Sequence, residues 1–206
     1  MERIKLNKSD KLFIDSIPRT KQSAHYGWIG GGYGAFKNYY VGYKKAFYII
    51  FKEWEKASKK GAIDILDTLV FPYCFVVRHM AETFIKYLYM KYASYALIGE
   101  EDKKKFLNHD HNIYEAWKKT RPIIDKVLKD QTSTFDLEIV DSYVKQIYDF
   151  DNRSMKMRYP CNKKLEATNT SNEAVNIIHL HKHVESFFNY LEGIDNEITG
   201  TLLFFQ

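Results

Sequence analysis

Hydrophobic and aromatic residues recur at intervals of three and four along most of the chain after residue 34. This spacing is typical of amphipathic helices, because residues three or four apart lie on the same helical face. No segment alternates polar and apolar residues well enough to favour a strand. The pattern therefore predicts an all-α fold, in which about five helices pack as a bundle. The predicted helices span residues 35–60, 63–97, 113–129, 136–149 and 170–198.

The first 34 residues do not share this periodicity. They contain Pro18 and five glycines, of which Gly30, Gly31 and Gly32 are consecutive. Glycine and proline interrupt regular structure, so we expect an irregular N-terminal arm at 1–34. The remaining residues, 35–206, are then long enough to form a single helical-bundle domain.

Local signals inside this domain refine the predicted boundaries. Pro72 should kink the second helix or end it just before the proline. The charged stretch at 99–108 and the polar stretch at 150–169 are expected to be loops. The last helix is expected to begin at the capping box formed by Thr170 and Glu173.

The composition is that of an ordinary globular protein, with 45% hydrophobic and 28% charged residues. The net charge of +5 permits an anionic partner without requiring one. The two cysteines are too few for a disulfide framework and too far apart for a metal-binding pair. The N-terminal residues lack the apolar core of a signal peptide, and no stretch is long and apolar enough to span a membrane. We therefore expect a cytoplasmic protein without a membrane partner.

The second predicted helix carries charges within its apolar sequence. Arg78, Glu82 and Lys86 are four residues apart, so they stack along one helical face. Burying an isolated charge costs several kcal/mol, so such residues need partners or solvent. Two alternatives remain open at this point. Either the helix packs around a structural Arg–Glu pair, or this face lines a functional cleft.

Other polar residues that could take part in catalysis or binding occur at the start of the third predicted helix and in the loop before the last one. In a bundle, helix starts and loops at one end can converge on a charged helix face. Such a convergence would place imidazole, carboxylate and guanidinium groups together. The candidate catalytic residues are His111, Arg78, Glu82 and Arg158, and the candidate substrate-binding residues are His79, Lys86, Arg153 and Tyr159.

Four segments occur in the same order as motifs of a bacterial family of small helical proteins. They are Tyr40-x-x-Tyr43-Lys44-x-Ala46, Pro72 to Lys86, His111 to Trp117, and Met157 to Pro160. The Arg-His-x-x-Glu and His-x-Ile pattern also resembles that of HEPN domains, a superfamily with RNA-cleaving toxins, defence effectors and non-catalytic members. The resemblance implies a HEPN-like homodimer that binds or cleaves RNA without a metal or other cofactor. It also implies a toxin or phage-defence setting, with a protein partner encoded nearby.

The chain departs from the HEPN ribonuclease pattern in the position of its Arg–His spacing, and the late loop has Arg153 and Arg158 but no His at the required distance. Those enzymes carry an Arg followed by a His after four to six residues, leading into a late helix. Here the spacing occurs between Arg19 and His25, in the N-terminal arm, and chance alone supplies about 0.6 such pairs. The sequence therefore leaves a second function open, a non-catalytic interaction or regulatory module whose polar cluster is structural.

A histidine pair on the last predicted helix is the remaining chemical signal. His179 and His183 are four residues apart, as metal-binding histidines on one helical face can be. No carboxylate of the HExxH type accompanies them, so we expect no metal site there.

Overall fold

The computed structural model describes residues 24, 32–108, 111–129, 133–169 and 173–204. Within these ranges the chain is helical and contains no strand, although Cys161 and Ala167 form an isolated bridge. The predicted all-α bundle is confirmed, and the described residues form six α-helices where about five were expected. The helices are α1 (Tyr33–Lys60), α2 (Ile63–Tyr92), α3 (Glu100–Leu107), α4 (Ile113–Lys129), α5 (Leu137–Phe150) and α6 (Ile177–Phe204).

The helices belong to one compact unit, Gly31–Gln206. The other unit, Met1–Gly30, is described only at Ala24, which is exposed. The irregular arm predicted at 1–34 therefore lies almost entirely outside the described residues. Its predicted end is close to the start of α1 at Tyr33.

The first two helices form a long hairpin. Helix α1 ends at Gly61, whose φ of 65° is left-handed and whose backbone N–H caps the Ala57 and Ser58 carbonyls. Glycine suits this position because it has no Cβ to clash. Helix α2 starts two residues later and runs through Pro72, so the alternative boundary before that proline is wrong.

Helix α2 is the centre of the bundle. Nearly every residue from Tyr73 to Tyr92 is buried, and the helix packs against α1, α4 and α6. It ends at Tyr92 rather than at the predicted Leu97, because a 3-10 turn, Ala93–Ala96, follows it. Because other helices cover α2 on several sides, its sequence is apolar almost all round.

The loop predicted at 99–108 was wrong, because this stretch contains helix α3. Acidic residues occupy its first turn and Lys104 and Lys105 its last, which matches the helix dipole. Phe106 anchors the helix to the core. Its ring is 1% exposed and stacks on the Tyr89 ring, with centroids 3.5 Å apart.

The predicted start of the last helix was also wrong. Residues 173–176 are not helical, so Glu173 cannot complete a capping box, and Thr170 lies outside the described residues. Helix α6 begins at Ile177. The side chain of Asn176 accepts a hydrogen bond from the backbone N–H of His179 at 2.9 Å, as an N-cap does.

Helices α1 and α6 are joined by long polar side chains. Lys37 lies 3.3 Å from Asp195, Lys44 lies 2.8 Å from Glu192, and the Tyr48 hydroxyl donates to Glu185 at 2.8 Å. These contacts hold the two helices in a defined register. In the part of the chain that the structure describes, no helix has the length and apolar character needed to cross a membrane.

Candidate functional site

Arg78 is the centre of a buried polar cluster, with 1% of its surface exposed. Its Nη1 donates to the Glu82 carboxylate at 2.8 Å. Its Nε donates to the backbone carbonyl of Asp151 at 3.0 Å, and its Nη2 donates to the backbone carbonyl of His111. A single guanidinium thus joins α2 to the residue before the α4 cap and to the residue that ends α5.

Glu82 shares the cluster and is 3% exposed. Its Oε2 accepts from Arg78, while its Oε1 lies 2.8 Å from Lys86 Nζ and 2.9 Å from His111 Nδ1. Burial raises the pKa of this carboxyl, but the hydrogen bonds and charges of its three partners outweigh burial and lower the pKa to about 2. The carboxylate is therefore ionised at neutral pH.

The ionised carboxylate fixes the tautomer of His111. A carboxylate can only accept hydrogen bonds, so His111 Nδ1 must donate, and a neutral ring then carries its lone pair on Nε2. The His111 side chain is 62% exposed. The lone pair is thus available to a ligand at the surface, on a ring that is held from inside the protein.

The backbone at His111 has a φ of 33°, which is left-handed. The next residue, Asn112, accepts hydrogen bonds from the backbone N–H groups of Tyr114 and Glu115, both at 3.1 Å. Asn112 therefore caps α4, and the turn before this cap presents the His111 carbonyl to Arg78 and its ring to Glu82. Histidine is among the residues that tolerate positive φ.

His79 lies one residue after Arg78 and is half-buried. Its ring packs edge-on to Tyr43, with centroids 4.5 Å apart, and stacks on Phe75 at 5.5 Å. Burial lowers the pKa of His79, and the nearby Arg78, Lys86 and His111 lower it further. The negative charge of Glu82 raises this pKa, but by less than the other effects lower it. A neutral His79 contributes ring packing against Tyr43 and Phe75 rather than charge.

Besides the Asp151 carbonyl, which Arg78 binds, the loop after α5 brings the Arg158 side chain close to the ring of Phe75. The guanidinium of Arg158 lies 5.8 Å from the centre of the Phe75 ring, the same ring that stacks on His79. Arg158 Nε donates to the backbone carbonyl of Ser154 within its own loop. Arg158 and His79 thus contact the same Phe75 ring, and no contact among the described residues links the Arg158 side chain to Glu82.

The remaining two predicted residues lie farther along this loop. Tyr159 is 48% exposed, and its ring centre lies 5.5 Å from the Arg158 guanidinium. Arg153 is exposed, and no contact among the described residues links it to the Arg78 cluster. The structure therefore brings Arg78, His79, Glu82, Lys86 and His111 together, with Arg158 and Tyr159 at the edge.

A second buried carboxylate was missed by the sequence analysis. Asp195 on α6 is 2% exposed and lies 2.6 Å from Lys91 Nζ. The hydroxyls of Tyr87 and Tyr92 also donate to it, at 3.0 and 2.7 Å. Burial raises the pKa of Asp195, but Lys91, Tyr92 and Lys37 outweigh burial and lower it below its ordinary value. Its acceptor positions are filled by protein donors, which is the pattern of a structural junction.

Among the residues that the structure describes, no three His, Cys, Asp or Glu side chains form a group that could hold a metal ion. A scan against protein-family models and searches of curated proteins and of solved structures find no significant match to this chain. The geometry of the Arg78 cluster and the motif order in the sequence are therefore the features that bear on function.

Proposed function

We propose that this protein is a HEPN-like, metal-independent endoribonuclease in which His111 is the general base. The observation that carries the proposal is the hydrogen bond between the buried carboxylate of Glu82 and Nδ1 of the exposed His111 ring. A carboxylate in this position orients the imidazole and stabilises the imidazolium formed when Nε2 takes a proton.

RNA suits this base because it carries its own nucleophile. His111 Nε2 would take the proton of a 2′-hydroxyl, whose oxygen then attacks the adjacent phosphorus. The bond from phosphorus to the 5′-oxygen breaks, the leaving oxygen takes a proton from solvent, and a 2′,3′-cyclic phosphate remains. The step needs no metal, but it needs positive charge near the phosphate.

Three side chains would contact the RNA substrate. Lys86 is beside the base and could contact the phosphate while it stays paired with Glu82. Arg158 is an exposed cation that could contact a neighbouring phosphate. Tyr159 presents a half-exposed ring on which an RNA base could stack. In this proposal Arg78 positions the base through the His111 carbonyl, and His79 and Arg153 border the bound strand.

The biological setting is proposed from two features of the sequence. We place the protein in the bacterial cytoplasm as a homodimer, in a toxin or phage-defence role, with a protein partner encoded nearby. The low cysteine count supports the cytoplasm, and the resemblance to HEPN proteins supports the other three statements.

A second function is favoured by one specific observation. The donors of Arg78 are directed to two backbone carbonyls and to Glu82, which is what a residue that fixes helix packing would show. In a non-catalytic interaction or regulatory module, the cluster would be purely structural. Arg78 and Glu82 would then matter for folding, and His111 would matter little.

The test is RNA cleavage by the purified protein in the presence of EDTA. The substrates are an end-labelled single-stranded RNA and the same sequence with 2′-deoxy sugars. We expect cleavage of the RNA alone, with products that end in a 2′,3′-cyclic phosphate. Cleavage of both substrates, or of neither when the protein is assayed alone and with its genomic neighbour, would contradict the proposal.

A further inference from the structure

A cavity of about 560 Å³ lies between α2, α5 and the beginning of α6. This volume is within the range of about 300–1,000 Å³ that is usual for small-molecule sites. Its inner end is formed by buried residues that include Val77, Arg78 and Val184, and its mouth by the exposed His179 and His183. Glu82 does not line the cavity.

The walls of the cavity are mostly apolar. Val77, Ile147, Phe150, Leu180 and Val184 contribute hydrocarbon or aromatic surface from three helices. Burial raises the pKa of the Cys74 thiol to about 12, so this group is also uncharged at the inner end. An occupant of this space would gain by removing its own apolar surface from water.

Polar side chains at the mouth of the cavity are held in place by contacts with one another. The rings of His179 and His183 lie with their centroids 4.2 Å apart. The Tyr143 hydroxyl lies 2.9 Å from His183 Nδ1, which leaves Nε2 of that ring for a ligand. Two imidazoles, a phenol and the side chain of Gln146 can together bind one polar head group.

The side chains that line the cavity favour an anionic head group over a cationic one. In the described part of the chain two imidazoles line the mouth and no Asp or Glu lines the cavity, while Arg78 at the inner end is already paired with Glu82. An anion would therefore meet hydrogen-bond donors and basic groups, whereas a cation would find no opposite charge.

We infer that this cavity binds a small amphipathic carboxylate, with its apolar tail between α2 and α5 and its carboxylate at His179 and His183. This site is separate from the Glu82–His111 pair and does not depend on RNA cleavage. The two sites share Arg78, which lines the cavity and holds the His111 carbonyl.

Isothermal titration calorimetry with decanoate tests the inference directly. Ala174 is exposed at the cavity mouth and lies outside the helices, so Ala174→Trp should block entry without disturbing the core. The matched control is Lys182→Trp, an exposed position on α6 next to His183 that does not line the cavity. We expect decanoate to bind wild type and Lys182→Trp equally, and to bind Ala174→Trp at least about tenfold more weakly.

Two further ligands and one variant test the head-group assignment. Decanol and decylamine have the same tail, so they should bind more weakly than decanoate. Replacing both mouth histidines, in His179→Ala/His183→Ala, should remove the preference for decanoate while some binding of the tail remains. Failure of decanoate to bind wild type, or equal binding to wild type and Ala174→Trp, would overturn the site. Binding of decanol as tight as that of decanoate would overturn the carboxylate head group.

Discussion

The Nδ1 atom of His111 lies 2.9 Å from the Oε1 atom of Glu82, although the two residues differ greatly in exposure. The Glu82 side chain is 4% exposed and the His111 side chain 62%. The pair therefore crosses the boundary between the core and the solvent, and a buried negative charge acts on a ring at the surface. Arg78 lies beneath this pair and binds both of its members.

Removing the Glu82 carboxylate should strongly destabilise the protein. Glu82→Ala leaves the guanidinium of Arg78 buried without its ionic partner, which typically costs about 3–5 kcal/mol of unfolding free energy. Glu115→Ala is the control, because Glu115 pairs with Lys118 at the surface, where such a pair contributes about 1 kcal/mol or less. Urea unfolding measures both. Equal stability of the two variants would show that the Arg78–Glu82 pair is not essential to the fold.

Acid should remove the contribution of the same carboxylate. The pKa of Glu82 is about 2 in the folded protein against an ordinary 4.5, so the unfolded chain takes up the proton first as pH falls. This contribution is fully present above about pH 4.5 and is lost as pH falls to about 2, a difference of about 3 kcal/mol. Unfolding free energies measured across this range should fall less steeply for Glu82→Gln than for wild type. The pH dependence of unfolding free energy that remains in Glu82→Gln comes partly from Asp195, whose pKa is also lowered.

The sequence predicted the Arg78–Glu82 contact because the contact is local. Residues four apart on a helix are neighbours whatever the tertiary structure, but the sequence did not decide between a buried pair and an open cleft. The position of His111 beside this pair was expected from the order of motifs, since nothing local to His111 indicates a partner 29 residues away. Asp195 could not be predicted in this way, because Tyr87, Lys91 and Lys37 are more than a hundred residues distant.

The errors at α3 and at the start of α6 have different causes. The signal for α3 was present in the sequence, because three acidic residues precede three lysines at i, i+3 spacing, and all three pairs form. The helix was overlooked because the stretch is mostly charged and has no apolar face. Phe106 is its one buried residue. At the start of α6 two capping signals competed, and Asn176 is used where Thr170 and Glu173 had been expected.

Asp195 should matter to stability as much as Glu82 does. Asp195→Ala leaves the Lys91 ammonium without its partner and deprives the buried Tyr92 hydroxyl of its closest acceptor. Loss of one member of such a buried group costs about 3–5 kcal/mol. The neighbouring Asn196 is exposed, so Asn196→Ala should change the unfolding free energy by about 0.5 kcal/mol or less. A small effect of Asp195→Ala in thermal and urea unfolding would mean that the α2–α6 junction tolerates its loss.

Asp141 should hold α4 against α5. It accepts from the indole N–H of the buried Trp117 at 2.6 Å and pairs with Arg121 at 2.8 Å. Asp141→Ala leaves the indole N–H without this acceptor, which should cost about 1–3 kcal/mol. Asp149→Ala on the same helix removes only an exposed pair with Lys145 and should cost about 1 kcal/mol or less. Trp fluorescence during urea unfolding reports both variants, and equal losses would contradict a specific role for Asp141.

The last prediction separates the catalytic role of His111 from its structural role. His111→Asn removes the imidazole but suits the left-handed backbone, because asparagine adopts positive φ at little cost. Glu82 keeps Arg78 and Lys86 as partners, so the unfolding free energy should change by about 1 kcal/mol or less. RNA cleavage should nevertheless be lost, since no other described group occupies the position of Nε2.

His111→Val is the matched comparison for this variant. It also removes the imidazole, but a β-branched residue is strained at a φ of 33°, so this variant should lose both cleavage and stability. Lys118→Ala removes an exposed cation from α4 and should keep both. Cleavage that persists in His111→Asn would exclude His111 as the general base. If instead the wild type cleaves no RNA and His111→Asn is as unstable as His111→Val, the ring of His111 serves the fold, which is the behaviour expected of the non-catalytic module.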